Sequence, residues 1–464
     1  MKNETEPLEP KADKATVRRH NLSLVLRAVH DEGEATRAAV AARVGLTRAA
    51  VSSLVEQLLD GGFLTESGKT FSGQAGRPGT ALRVARTGPA GLGVEVNVDY
   101  VSVCVVDLAG TDRVRLTEHL DNRDVPPGEV LARAARIAAR TLVSAAEQEL
   151  VPAGVRLALP GLVSGGTVRQ APNLGWNRVP AEELFAGALA ALRPVPEALP
   201  TGCDNEANAA ALAELWFGGR GPGAAARSSD GGPSGGGAPE GGGAPEGGGA
   251  PEGGGAPEGG RVKARSFLYV SGEIGVGGAV VVDGELLRGA HGFAGEIGHV
   301  PADAEGPRCR CGSRGCLEQY AGQAALLREA GLAPDAGGPG VAELERRAAA
   351  GDARAVGALE RAGRMLGLVL SGAVNLLDPD AVVLGGVYRG LMPWLGPAAD
   401  AELARRVVSG LWTPGGGRLR GASSSGDAAR GAAALVVRDV IADPVGHAVR
   451  TRGAAGGGSR RGGG

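Results

Sequence analysis

Three of the five cysteines fall within eight residues, as Cys309-Arg-Cys311-Gly-Ser-Arg-Gly-Cys316, and His299 lies ten residues upstream of the first. Thiolate sulfur and imidazole nitrogen are ligands that a tetrahedral Zn²⁺ takes, and His299, Cys309, Cys311 and Cys316 supply the four it needs. A closed Cys₃His shell leaves no position open for water, so the metal expected here is structural. Carboxylates bracket the cluster, Glu296 before it and Glu318 after it. The metal would hold Glu296, His299 and Glu318 in fixed relation. A redox pair or a disulfide is the competing reading of the same thiols. Cys104 and Cys203 have no evident partner in the sequence, and free thiols beside a thiolate metal site suit a reducing cytoplasm.

Such a loop has to hang on a framework, and 464 residues allow two to four domains with cores of their own. The net charge of −2 argues against polyanion binding by the chain as a whole. Residues 14–86 differ: 11 Lys and Arg against 6 Asp and Glu give +5, a basic module on a slightly acidic body. The excess of Arg over Lys, with abundant Ala, Gly and Pro, reads as codon bias and says little about any one site. Residues 1–15 are polar and mixed in charge, unlike a signal peptide. No run of about 18 apolar residues is present, so no membrane partner is expected and the location implied is the cytoplasm.

The basic module reads as three helices and a hairpin. Leu22, Val25, Leu26 and Val29 follow helical spacing; Thr36 caps a short second helix that Gly45 ends; Thr47 caps a third, whose Val51, Leu54, Val55, Leu58 and Leu59 form one apolar stripe. Phe63-Leu-Thr-Glu66 and Ala81-Leu-Arg-Val84 fit two strands around a Gly-rich turn. That order is a winged helix-turn-helix. Thr47, Arg48, Ala49 and Ser52 would face a major groove, and Arg77, on Gly76-Arg-Pro-Gly79, a minor groove. A three-helix bundle used for protein contacts is the alternative.

From residue 90 onward strands alternate with helices, an α/β layer pattern. Residues 93–107 read as two strands turning near Asn97–Asp99, residues 128–150 as a long helix, and Val155-Arg-Leu-Ala-Leu159 as a strand. Four tandem copies of Gly-Gly-Gly-Ala-Pro-Glu fill 235–258. Such a composition buries too little apolar surface to offset its ordering entropy, so 219–264 is expected to be a disordered insertion. The domains expected are a head at 14–86, a small lobe at 90–204 that also takes a C-terminal helix at 430–443, a large lobe at 205–429, and a disordered tail at 444–464.

Gly295-Glu-Ile-Gly-His299, Cys309-x-Cys-Gly-x-x-Gly-Cys316-x-Glu318 and Asn205-Glu-Ala-Asn208 together resemble the ROK family of sugar kinases and sugar-responsive repressors. The resemblance covers about 18–218 and 265–443, and the N-terminal winged helix matches the repressor branch, similar in layout to N-acetylglucosamine and xylose repressors. It implies an α/β, actin-like (ribonuclease-H-like) sugar-kinase fold of two lobes with a sugar in the cleft. Asn173, Asn205, Glu206, Glu296, His299 and Glu318 match positions that hold the sugar, and Glu206 stands at the catalytic-base position, where the kinases have Asp. Partners implied are a double-stranded DNA operator, a sugar or sugar derivative, and a second copy or three further copies of the chain.

The phosphate turns depart from the kinase pattern. The first, Asp-x-Gly-Gly-Thr in the kinases, reads Glu95-Val-Asn-Val98-Asp99 here; the second, Gly-Thr-Gly-Ile-Gly, reads Ser271-Gly-Glu273-Ile-Gly275. Two like charges about 4 Å apart cost on the order of 1 kcal/mol even in bulk water, so an acid at each turn should weaken nucleotide binding. Glu in place of Asp at 206 moves the carboxylate by roughly 1–1.5 Å, enough to spoil a catalytic geometry. The expectation is therefore a sugar-responsive repressor with no catalytic residue. An ATP-dependent sugar kinase with a DNA-binding head is the alternative, and a sugar-blind DNA binder is a third reading. Gly385-Gly386 is read as a strand-to-helix turn kept for its backbone geometry.

Overall fold

The structure, a computed structural model, describes residues 13–70, 79–192, 195, 199–218, 264–423 and 428–447. Arg77, residues 219–263 and the tail beyond 447 lie outside the described residues.

The head forms as its caps and apolar stripes dictate. Its helices are Lys14–Glu32, Arg37–Val44 and Arg48–Asp60, and the last two meet at 114°, the angle of a helix-turn-helix. Thr36 Oγ1 accepts from the Ala39 amide and Thr47 Oγ1 from the Ala50 amide, both at 3.2 Å. The first helix starts at Lys14, where Asp13 caps it through the Thr16 amide at 2.6 Å. Strands Leu64–Thr70 and Gly79–Val84 pair antiparallel with Leu64 opposite Val84, and Ala35–Thr36 adds a third strand. Val25, Leu26, Val51 and Val55 are fully buried, each worth roughly 1.5–3 kcal/mol of transfer free energy.

The body holds two five-stranded sheets and a three-stranded one made of Leu162–Ser164, Thr167–Ala171 and Trp176–Val179. The first five-stranded sheet runs Thr201–Asn205, Leu150–Leu159, Gly88–Val96, Tyr100–Asp107, Asp112–His119 in spatial order, and the second Glu285–Leu286, Val276–Val282, Phe267–Gly272, Ala381–Gly386, Leu419–Gly421. This is the actin-like arrangement. The helix expected over 128–150 spans Pro127–Ala146 instead: Glu149 takes a left-handed turn (φ 58°), and the strand that follows starts at Leu150 rather than Val155.

Between the sheets lie two alanine-rich helices, the cleft helix Glu206–Phe217 and the C-terminal helix Ala428–Ala442. Small residues let them approach closely. A Cβ on Gly93 would stand 1.8 Å from the Ala429 carbonyl oxygen, and one on Gly431 would stand 1.8 Å from that of Ala209. The C-terminal helix also runs into the head: Val436, Val437, Val440 and Ile441 share one core with Leu22, Val25 and Phe63. The disorder expected from residue 444 does not start there. Residues 444–447 form a helical turn, and His447 is buried edge-on to Phe63 with ring centroids 6.1 Å apart. Arg19 Nε reaches Asp443 Oδ1 at 2.6 Å across the same junction.

Candidate functional site

The strand Thr201–Asn205 ends at the mouth of the cleft, and Asn205 starts the cleft helix as its N-cap. Its Oδ1 accepts from the amides of Ala207 (2.8 Å) and Asn208 (3.2 Å), and its Nδ2 donates to the Gly161 carbonyl at 2.8 Å. One amide hydrogen is left for a ligand. Asn205 thus caps the cleft helix and lines the cleft with one side chain. The next residue, Glu206, directs a buried Oε2 that has no hydrogen-bond partner among the described residues. Burial, then the charges of Glu95 and Glu296, push its carboxyl up to about 8. At neutral pH it is mainly protonated and can donate as well as accept.

The second sheet supplies the opposite wall. Glu318 Oε2 accepts from the Val276 amide at 3.2 Å, and a Cβ on Gly275 would lie 2.2 Å from that same oxygen, so any side chain there would displace the carboxylate from this position. Glu296 is raised above the usual carboxylate range, chiefly by burial, with Glu318 adding to the rise and His299 opposing it. Asn173, Asn205, Glu206, Glu296, His299 and Glu318, the six residues picked from the sequence, all line this one cleft, whose volume is about 70 Å³.

Behind the wall the four ligand candidates converge. His299 Nδ1 lies 3.8 Å from Cys309 Sγ, Cys311 Sγ lies 3.7 Å from Cys316 Sγ, and all four ligand atoms fall within 4.8 Å of one another. A tetrahedron with metal–sulfur bonds near 2.3 Å has edges of about 3.8 Å. The set therefore fits a tetrahedral ion, and a sulfur–sulfur separation of 3.7 Å excludes a Cys311–Cys316 disulfide here. Burial raises the Cys316 thiol to about 12, so a metal would bind in exchange for protons. Glu318 Oε1 lies 3.9 Å from Cys309 Sγ, so the ligand loop and the cleft wall touch.

One residue that lines the cleft was missed in the sequence. Arg310, the residue between Cys309 and Cys311, lines the cleft and donates to Asn173 Oδ1 at 3.3 Å. Glu95, buried in the first sheet, accepts from the Tyr100 hydroxyl at 2.6 Å. The charge of Glu95 acts on Glu206, which lines the cleft.

At the first phosphate turn Val98 is buried in the small-lobe core, so its backbone carries a side chain where the kinases have none. Glu273, at the second, lies with Oε1 2.5 Å from where a Gly386 Cβ would stand. Its carboxyl is held well above the ordinary range by burial and by Glu95, Glu206 and Asp99. Four acids thus share the region. Gly385 is needed for packing, since a Cβ there would strike the Tyr269 hydroxyl at 1.9 Å, and Gly386 for its φ of 57°.

On the head, Arg48 and Ala49 are exposed on the third helix, Ser52 is half-buried, and the Thr47 hydroxyl is engaged in its cap. Arg37 is held by Glu56 and Glu66, whereas Arg48 has no ion-pair partner among the described residues. No single described helix is long and apolar enough to cross a membrane.

The ROK family model matches residues 257–439. The xylose repressor of Bacillus subtilis (strain 168) is 26% identical over 401 residues, covering 86% of this chain and 90% of that protein. Among solved structures, a ROK family transcriptional regulator, homologue of the E. coli MLC protein, superposes with a TM-score of 0.69 at 22% identity, over 94% of this chain and 99% of that one. A ROK family glucokinase from Streptomyces griseus, in complex with glucose and AMPPNP, gives a TM-score of 0.55 at 23% identity, over 75% of this chain and 98% of that one. With its two-lobed body and the Cys/His loop beside the cleft, this chain carries a ROK family domain.

Proposed function

We propose that the protein is a DNA-binding transcriptional repressor whose hold on its operator is set by a sugar or sugar derivative in the cleft between the lobes. The observation that carries this reading is the C-terminal helix. It packs on the cleft helix at one end and enters the core of the winged-helix head at the other. A cleft of about 70 Å³ falls below the roughly 300–1,000 Å³ of ordinary small-molecule sites, so admitting a sugar means parting the lobes. Moving the cleft helix moves the C-terminal helix and with it the head. In a homodimer or homotetramer, two heads would change spacing and lose or gain register with paired half-sites.

In this reading Asn173, Asn205, Glu206, Glu296, His299 and Glu318 bind the sugar hydroxyls, each needing a partner once desolvated. Zn²⁺ on His299, Cys309, Cys311 and Cys316 fixes the wall that carries Glu296 and Glu318. Thr47, Arg48, Ala49, Ser52 and Arg77 meet DNA, and the protein works in the cytoplasm. Phosphoryl transfer is disfavoured because Glu95, Asp99, Glu206 and Glu273 crowd the region a triphosphate would occupy.

A mobility-shift assay on DNA upstream of the protein's own gene, with pentoses, hexoses, N-acetyl amino sugars and their phosphates, tests the proposal. The B. subtilis relative is named a xylose repressor, which puts xylose first in the panel. A specific shift altered by one sugar supports it. No specific shift, with ADP released from ATP and the same sugars, overturns it in favour of a kinase.

A further inference from the structure

A second concavity, of about 910 Å³, lies on the other side of the strands that wall the cleft. Gly161 and Ala171 face the cleft, while their neighbours Leu162 and Gln170, paired across the sheet, face this space. Its lining holds Arg169, Arg178, Arg288 and His291 and no carboxylate.

The hairpin that presents the arginines breaks the usual alternation. Val168 and Val179 are buried, Ala171 and Trp176 are buried, and the two residues between them on each strand are exposed. Arg178 achieves this with a left-handed backbone, φ 52°, a conformation that costs a non-glycine residue. The register pairs Asn177 with Gln170 and Val179 with Val168, which sets Arg178 directly opposite Arg169. Like charges opposite one another across an antiparallel pair are unfavourable. Neither arginine has an ion-pair or hydrogen-bond partner among the described residues. Arg288 is held from behind by Asp204, Nη2 to Oδ2 at 2.7 Å, with half its side chain still exposed.

We propose that this concavity is a second ligand site, for a phosphomonoester carrying hydroxyl groups, a phosphorylated polyol. Facing guanidiniums with no carboxylate between them match the charge and the several acceptor oxygens of a phosphate dianion. The amides of Gln170 and Asn177, paired on the adjoining positions, can each donate to and accept from hydroxyls. A volume of about 910 Å³ has room for more than inorganic phosphate. The site stands apart from the proposed sugar cleft and does not depend on its role.

The test is calorimetric titration of the full chain, without DNA, with glucose 6-phosphate, glucose and inorganic phosphate at constant ionic strength. The variants are Arg178→Gly and Glu296→Gln. Glycine suits φ 52°, so Arg178→Gly should melt no lower than the native protein, which separates loss of binding from loss of fold. The expected result is glucose 6-phosphate bound more tightly than either fragment, weakened at least tenfold by Arg178→Gly and unchanged by Glu296→Gln. Binding lost with Glu296→Gln and kept with Arg178→Gly would place the ester in the cleft and overturn the proposal. No binding, or inorganic phosphate bound equally well, would overturn it too.

Discussion

Glu206→Gln should reduce the fall in stability of this protein between about pH 5 and 8. The carboxyl titrates near 4.5 in the unfolded chain and near 8 in the cleft, where burial and then Glu95 and Glu296 disfavour its charge. Below pH 4.5 both states hold the proton, and its stabilising share is complete. Above 4.5 the unfolded chain releases the proton while the folded protein keeps it. Folding stability then drops by about 1.4 kcal/mol per pH unit until the folded group ionises near 8. From 4.5 to 8 is 3.5 units, a ceiling of about 5 kcal/mol. Glutamine has the shape of the protonated acid and never ionises, so the variant escapes this loss. The effect should be reinforced at Glu273, whose carboxyl Glu206 also raises.

Thermal unfolding of both proteins from pH 5 to 9 at fixed ionic strength reads the difference. At roughly 2–4 °C per kcal/mol for domains of 150–250 residues, the melting curves should nearly coincide at pH 5 and separate by up to on the order of 10 °C by pH 8. Beyond that the gap should stop growing. Parallel pH profiles would refute the reasoning, because they would mean that Glu206 is ionised in the folded cleft at neutral pH.

Cys311→Ser removes one of four converging ligands and should lower bound zinc, measured by plasma emission, from one per chain to near zero, with the sugar response lost in the same sample; a zinc-free variant that still answers to sugar would separate the metal from the cleft. Gly275→Ala sets a methyl 2.2 Å from Glu318 Oε2 and should weaken sugar binding at least tenfold in titration while leaving operator affinity unchanged. Arg48→Ala should weaken operator binding by about 1–3 kcal/mol if it reads a base edge, or reduce the salt slope by about one if it meets a phosphate; no change in either removes the third helix from the interface. Gly93→Ala presses a methyl onto the backbone of the C-terminal helix, 1.8 Å from the Ala429 oxygen. It should cost about 1–3 kcal/mol of stability and blunt the sugar response more than operator binding, measured by melting and by mobility shift.

Local chemistry was legible wherever the determining residues are close in sequence. Thr36 and Thr47 marked helix starts because a cap and its amide are three residues apart. The Cys309, Cys311 and Cys316 spacing marked a ligand loop because a short chain can wrap one ion only in a few ways. Glu95 and Arg310 were not legible. Their relation to the cleft depends on which strand faces which lobe, and in sequence one lies in a strand and the other stands between two cysteines. Residue 149 shows the same limit on a small scale: an alanine-rich run predicts helix to Leu150, but Leu150 is claimed by strand pairing with Gly88, and the chain turns before it. The contact of Arg19 with Asp443 joins positions 424 apart. No window of sequence contains both, and the composition around residues 444–447 reads as the start of a tail because its packing partner is the head.

That junction decides what kind of switch the molecule can be. A head on a flexible tether would follow body closure only loosely. Here Val440, Ile441 and His447 are buried against the head's own core, and Ala429 and Ala433 sit directly on the glycines of the central strand. The Ala429 amide also lies 3.4 Å from Glu95 Oε2, and Glu95 belongs to the acid group around Glu206 and Glu273. The N-terminus of the C-terminal helix therefore meets Glu95, whose charge acts on Glu206 in the cleft, and its other end meets the head. A helix is stiff along its axis, so a ligand that neutralises or displaces those carboxylates acts at one end of a rod whose far end is part of the head. Small shifts suffice, because contacts made through glycine leave no slack to absorb them.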